Sequence, residues 1–484
     1  MRVETGTGTG AQARGRGLLG WPTLATMVVG SVVGAGVFSL PGTFGAATGV
    51  YGALIAWAIA GTGTFFLALV FRSLAERRPD LDAGVYAYAK AGFGDYAGVI
   101  SAFGYWVSAC LGNVTYWVLI TQTVRGLWPG QAWLTPVLVV VASAGMWGFY
   151  WLIGRGVQEA AIVNRIVTIA KVAPIVAFVI VAITVFDAAV FVDNLWGGER
   201  ATGSALLDQV STTMMLTVFL FLGIEGANVY SRYARTRKDI GTATVVGYLG
   251  VLALFASVTM LSYGVLPRAE LAALGEPSMA GVLRAAIGPW GGWLVSIALI
   301  VAVLGAYLAW SMMAAEVMFT AARSGDMPRF LRTVNPRDVP IAAVLMSTAF
   351  TQIVYWITFA AEDAFTFALS LTSATTLIAY LFASGYAVRL GITGQTYTAP
   401  AVRWRGLIVG VVATGYIVFL LWAADPKYLL LAAIAFLPAT AMYVAVRRER
   451  GQHWLSRGEQ LVFAVLAVAA LAAVAGLATG GITL

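Results

Sequence analysis

The chain has 484 residues, 60% of them hydrophobic and 11% charged, with a mean hydropathy of +0.83. That is too apolar for a water-soluble fold and puts the protein in the membrane class. One cysteine, Cys110, excludes internal disulfides, one histidine, His453, excludes a histidine-based metal site, and nothing calls for a cofactor.

Residues 1–20 are rich in Gly, Thr and Arg and have no apolar stretch, so they read as a disordered basic tail rather than a signal peptide. Beyond them, charges, prolines and turn residues cut the sequence into apolar runs of about 20 residues or more, enough to cross a bilayer. Thirteen spans are expected, near 22–46, 51–72, 96–127, 134–153, 161–186, 208–231, 241–265, 290–322, 340–360, 364–388, 405–423, 428–446 and 460–480. The last is so Ala-rich that a packed or surface-lying helix is an alternative. With the tail placed inside, inner segments hold 24 of the 30 Lys and Arg; outer segments hold five (Arg125, Arg200, Arg268, Arg284, Lys427), and Lys171 falls within a span. This bias sets the N-terminus in the cytoplasm and makes the net charge of +8 a matter of topology and anionic lipid, not of a nucleic-acid surface.

The first span contains "VVGSVVGAGVFSLPG", with glycines at 30, 34, 36 and 42 and Pro41. Gly30 and Gly34 form a small-xxx-small pair that serves close helix packing, and Pro41 alone reads as an ordinary kink. Together, however, these residues weaken the helix itself. The sixth span repeats the pattern in "GIEG", with Gly223 and Gly226 five spans on. Two interrupted helices at corresponding positions point to an inverted-repeat transporter with its site near the midplane. The half-helix after Gly34 exposes N–H groups suited to a carboxylate, and the one ending near Leu222 exposes carbonyls suited to an ammonium. Together they fit an α-amino acid.

Three ionisable residues lie deep in apolar sequence, where a charge costs on the order of 3 kcal/mol. Glu225 either answers a cation on the substrate or satisfies backbone groups freed by the break. Lys171 is either a functional ammonium or a lysine snorkelling to the interface. Glu316 stands six residues from Trp310, about 240° around the helix, so it faces Lys171 or an inner arginine rather than Trp310's side. Tyr105, Ser108 and Asn113 in the third span and Ser370, Thr372 and Ser373 in the tenth are candidate pocket liners, or simply helix–helix contacts.

"VVGAGVFSLPGTFG", "LDAGVYAYAKAGFGDYAGVISAFGYWVSACLGNVTYW", "GIEGANVYSRYA" and "AARSGDMPRFLRTVNPRDVP" resemble the basic amino acid/polyamine antiporters of the amino acid–polyamine–organocation superfamily. The resemblance runs from Trp21 to the C-terminus. It implies an all-α polytopic membrane protein with ten core helices in an inverted five-plus-five repeat and about three extra C-terminal helices. The single transporter domain, 21–484, then divides into repeat one at 21–190, repeat two at 205–390 and accessory helices at 404–484. The implied activity is alternating-access exchange of cationic amino acids across the bacterial cytoplasmic membrane, arginine for ornithine, with lysine as the competing substrate; a homodimer is the candidate assembly.

Matched residue by residue, the resemblance sets the substrate carboxylate at the amides of Ala35 and Gly36. It sets the α-amino group at carbonyls near Val32, Phe219 and Leu222, and the arginine side chain on Trp310, where a guanidinium over an indole is favourable. Tyr105 and Glu225 join the expected site. Phe219 stands where a relative has a gating tryptophan, Ser31 where it has asparagine, and Ala35 where it has serine. Lys171 resembles a fifth-span lysine that takes the place of bound sodium in sodium-independent members.

Competing classes carry less. An intramembrane enzyme needs a nucleophile with a base or paired metal ligands, and the spans offer neither. A channel shows a repeated filter on symmetric subunits rather than single-site breaks. Proton-driven permeation remains the alternative within the transporter class; sodium symport is opposed by Lys171.

Overall fold

The structure is a computed structural model that describes residues 20–81, 84–156, 161–197, 203–225, 237–358 and 363–482; the tail, Gly226, Arg232 and Arg235 lie outside the described residues. Every regular element among the described residues is helical.

Helix α1 (Trp21–Val32) starts with Pro22 in its first turn, where the missing N–H costs nothing. A short 3-10 turn, Gly36–Ser39, runs on into α2 (Leu40–Ala47). Pro41 sits in the first turn of α2, so it starts a helix and does not kink one. There follow α3 (Val50–Arg77), the short α4 (Val85–Phe93), α5 (Asp95–Leu127), α6 (Leu134–Gly154), α7 (Ala161–Thr184), α8 (Ala188–Asp193) and α9 (Gly203–Leu220). The second half holds α10 (Arg237–Ser262), α11 (Arg268–Ala273), α12 (Ser278–Ile287), α13 (Pro289–Arg323), α14 (Ile341–Thr358), α15 (Ala364–Thr393), α16 (Pro400–Ala423), α17 (Pro426–Glu449) and α18 (Arg457–Thr479). Ten of these are long and apolar enough to cross a membrane.

The sixth expected span, 208–231, is interrupted where its glycines stand: its helix stops at Leu220 and gives way to a turn over 221–225. Gly223 there has φ +97°, a conformation that L side chains rarely adopt and that ends helical hydrogen bonding.

Burial sorts the helices into layers. α5 is the hub: 94% of its apolar window is buried, and it packs against α13, α14, α15 and α17. α18 is at the other extreme with 11%, and it packs chiefly against α17. Its start is fixed by a capping box in which Ser456 Oγ accepts from the Glu459 N–H and the Glu459 carboxylate accepts from the Ser456 N–H at 2.6 Å. α1 and α7 meet closely at Gly30, where an added Cβ would lie 2.5 Å from Thr168 Oγ1. Gly30 is therefore a packing glycine.

Candidate functional site

The chain leaves α1 through Val33 (φ −69°, ψ 100°), and the next turn closes only when the Phe38 N–H donates to Ala35 O at 3.1 Å. Among the described residues the N–H groups of Ala35, Gly36 and Val37 have no acceptor, although all three residues are buried. An unmet buried N–H costs about 1–3 kcal/mol, so this stretch is built to meet an acceptor from outside the backbone. On the facing strand of chain, the Leu222 N–H donates to Phe219 O and the Ile224 N–H to Phe221 O. The Val32 and Leu222 carbonyls have no donor among the described residues. The Phe219 carbonyl thus already accepts one hydrogen bond, and Phe219 also lines the cavity.

Between the two breaks lies a cavity with about 20 Å³ of free volume, room for about one water. Val32, Gly34 and Gly36 form one wall and Phe219, Leu220 and Leu222 another. α5 supplies Ser108, Ala109, Gly112 and Tyr116, α13 supplies Trp310, and α15 supplies Thr372. A Cβ on Gly36 would lie 3.0 Å from side-chain carbons of both Phe219 and Leu220, so the glycine lets the two breaks approach each other. Anything much larger than a water enters only when these walls part.

Beside the cavity Glu225 is half-buried and saturated with donors. Tyr105 Oη of α5 donates to Oε1 at 2.5 Å, Tyr380 Oη of α15 to Oε2 at 2.7 Å, and the Gly223 N–H to Oε2 at 3.2 Å. Of the two roles open to Glu225, this geometry favours the one that ties the broken sixth span to α5 and α15. The Tyr105 ring lies 6.2 Å from that of Trp310, and Met313 Sδ lies 3.0 Å from Tyr105 Oη. Tyr105 thus stands next to the cavity rather than in its wall.

The Lys171 ammonium donates to Gly30 O at 3.2 Å, in the last turn of α1 before its break, and the residue is 5% exposed. It therefore reaches across to α1 and does not extend to solvent. Glu316 is exposed on α13, with its carboxylate 3.5 Å from the donating Thr320 hydroxyl, and it does not line the cavity. The Ser31 side chain lies outside the described residues. Asn113 Nδ2 donates to Ser311 Oγ at 3.0 Å, Ser373 Oγ to Met215 O at 2.8 Å, and Ser108 pairs with Thr376.

Sequence reasoning passed over Tyr116 and Tyr380. Both are tyrosines in the middle of long apolar runs, and that was the available signal, since a phenol buried there needs a partner.

A helical, multi-pass membrane protein with two interrupted helices around a central cavity has the layout of a permease. The sequence profile of the amino acid permease family matches residues 19–446, and the chain belongs to that family. The chain is 41% identical to the arginine/ornithine antiporter of Pseudomonas aeruginosa over 95% of its own length and 97% of that protein. It is equally 41% identical to the L-lysine transport protein of Corynebacterium glutamicum, over 96% of this chain and 95% of the relative. An arginine/agmatine antiporter of Chlamydia abortus is 32% identical over 94% and 96%.

Proposed function

We propose that the protein exchanges cationic amino acids across the bacterial cytoplasmic membrane, arginine for ornithine, by alternating access around the cavity between the two breaks. The observation that carries this reading is the pairing of unmet N–H groups at Ala35–Val37 with unmet carbonyls at Val32 and Leu222 across one small cavity. An α-carboxylate and an α-ammonium satisfy both sets at once. Trp310 offers a face for a guanidinium or an alkylammonium. The relatives named for arginine, ornithine and lysine support the cationic substrate.

In this reading residues 21–190 and 205–390 are two inverted five-helix repeats that rock against each other, and 404–484 packs outside them, giving about 13 spans with the N-terminus inside. Lys171 supplies a fixed positive charge at the first break, so no sodium is needed.

Reconstituted vesicles decide it. Labelled arginine is expected to enter ornithine-loaded vesicles rapidly and empty vesicles hardly at all, with no sodium or proton gradient imposed. Equal entry into both would replace exchange by uniport. Uptake of lysine alone, or only under a proton gradient, would make the protein a lysine permease like the Corynebacterium relative by name.

A further inference from the structure

Tyr116 is 5% exposed, lines the cavity, and sets its ring edge-on to Phe219 with centroids 6.4 Å apart. A Cβ added to Gly34 would lie 3.3 Å from Tyr116 Oη, so the hydroxyl reaches the backbone of the first break itself. The other hydroxyls of the cavity wall are engaged: Ser108 with Thr376, and Thr372 with Ala368 O at 2.7 Å. Tyr105 and Tyr380 are held by Glu225. Tyr116 Oη alone among these makes no hydrogen bond to any described residue, and Tyr116 lines the cavity.

We infer that the Tyr116 hydroxyl donates a hydrogen bond to the α-carboxylate of the substrate, beside the amides of Ala35–Val37, and so selects amino acids over their decarboxylated amines. The inference rests on the reading that the cavity holds an α-amino acid with its carboxylate at the first break. The sign of the interaction follows from position. Gly34 adjoins the unmet N–H groups, whose partial positive charge draws an anion to this end of the cavity, and a phenol donating to a carboxylate makes a strong, charge-assisted bond. Ala35 provides no hydroxyl at this end of the cavity; Tyr116 Oη comes from α5 to the neighbouring Gly34.

The test is Tyr116→Phe, which keeps the ring against Phe219 and deletes the donor, with arginine and agmatine binding measured by competition against labelled arginine in nanodiscs. Arginine affinity is expected to fall about tenfold or more, with agmatine unchanged within about twofold. The double variant Tyr116→Phe/Ala35→Ser is expected to recover part of the arginine affinity. Equal losses for both ligands, or no loss for either, would overturn the assignment. Should the phenylalanine variant fail to fold, Tyr116→Met reads the same ratio, because its thioether fills space without donating. If the wild type binds a neutral amino acid and no arginine, the same comparison with that amino acid and its amine still judges Tyr116. Only the cationic-substrate reading then falls.

Discussion

A cation held inside an apolar helix bundle needs a negative or dipolar partner, and Lys171 finds one in a backbone carbonyl of α1. The partner matters because Gly30 sits one turn before the break, so the ammonium braces the end of the half-helix whose final carbonyls are otherwise unmet. Glu276, in the connection between α11 and α12, shows the opposite case, a charge with poor compensation. Burial pushes its carboxyl up to about 7, helped by the negative charge of Asp363 and opposed by the Ser278 N–H that donates to it at 3.2 Å. The folded protein therefore holds the Glu276 proton more tightly than the unfolded chain, whose carboxyl stays near 4.5. The stabilising contribution is full below that value and is lost as pH rises through about 7. The apparent melting temperature of the wild type is expected to drop across this window more steeply than that of Glu276→Gln. Parallel curves would show that the carboxyl is not paying for its burial.

Among the elements, α4 is held to the bundle by charge as well as by packing. Lys90 Nζ lies 2.6 Å from Asp326, which is 8% exposed at its side chain and also accepts from Tyr86. Lys90 lies 3.4 Å from Asp95, which in turn meets Arg447 of α17 at 3.4 Å. An exposed pair contributes little, but removing Lys90 leaves the carboxylate of Asp326 under-compensated at a cost of about 1–3 kcal/mol. Lys90→Met is therefore expected to speed amide exchange in 85–93 about tenfold, read by hydrogen–deuterium exchange, with α18 unaffected. No change there would reduce the network to surface decoration. The same elements show how far local pattern reaches. The run at 134–153 became Leu134–Gly154 and that at 428–446 became Pro426–Glu449, because prolines and charges bound apolar helices on both sides. The glycines at 34, 36 and 223 marked the breaks because glycine acts on its own backbone. Tyr116 and Tyr380 escaped, since a tyrosine in an apolar run has the same local signature as an interfacial anchor. Only the fold carries Tyr380 across 155 residues of sequence to Glu225.

On the scale of the whole molecule, the helices divide into those that build the cavity and those that border it. Every cavity-lining residue comes from the first break, α5, the α9 region, α13 or α15. α16 reaches this set through α3 and α15, and α17 through α5 and α15. α18 stands one layer further out: its buried residues are Ala470 and Ala473, it packs chiefly against α17, and Glu459 accepts from Tyr443 Oη at 3.0 Å. Most of its apolar surface faces away from the protein, so a 23-residue helix whose most apolar 18 residues have a mean hydropathy of 2.7 needs lipid around it more than it needs the bundle. In the proposed exchange, the motions that open the cavity are those of α5 and its neighbours, none of which is α18. A chain ended after Leu455 is accordingly expected to keep the proposed exchange within about twofold. Its apparent melting temperature in nanodiscs should fall only by the few degrees that correspond to losing about 1 kcal/mol of contacts. Loss of exchange in a truncated protein that still folds would show that α18 steers the moving helices through α17, the helix it chiefly packs against.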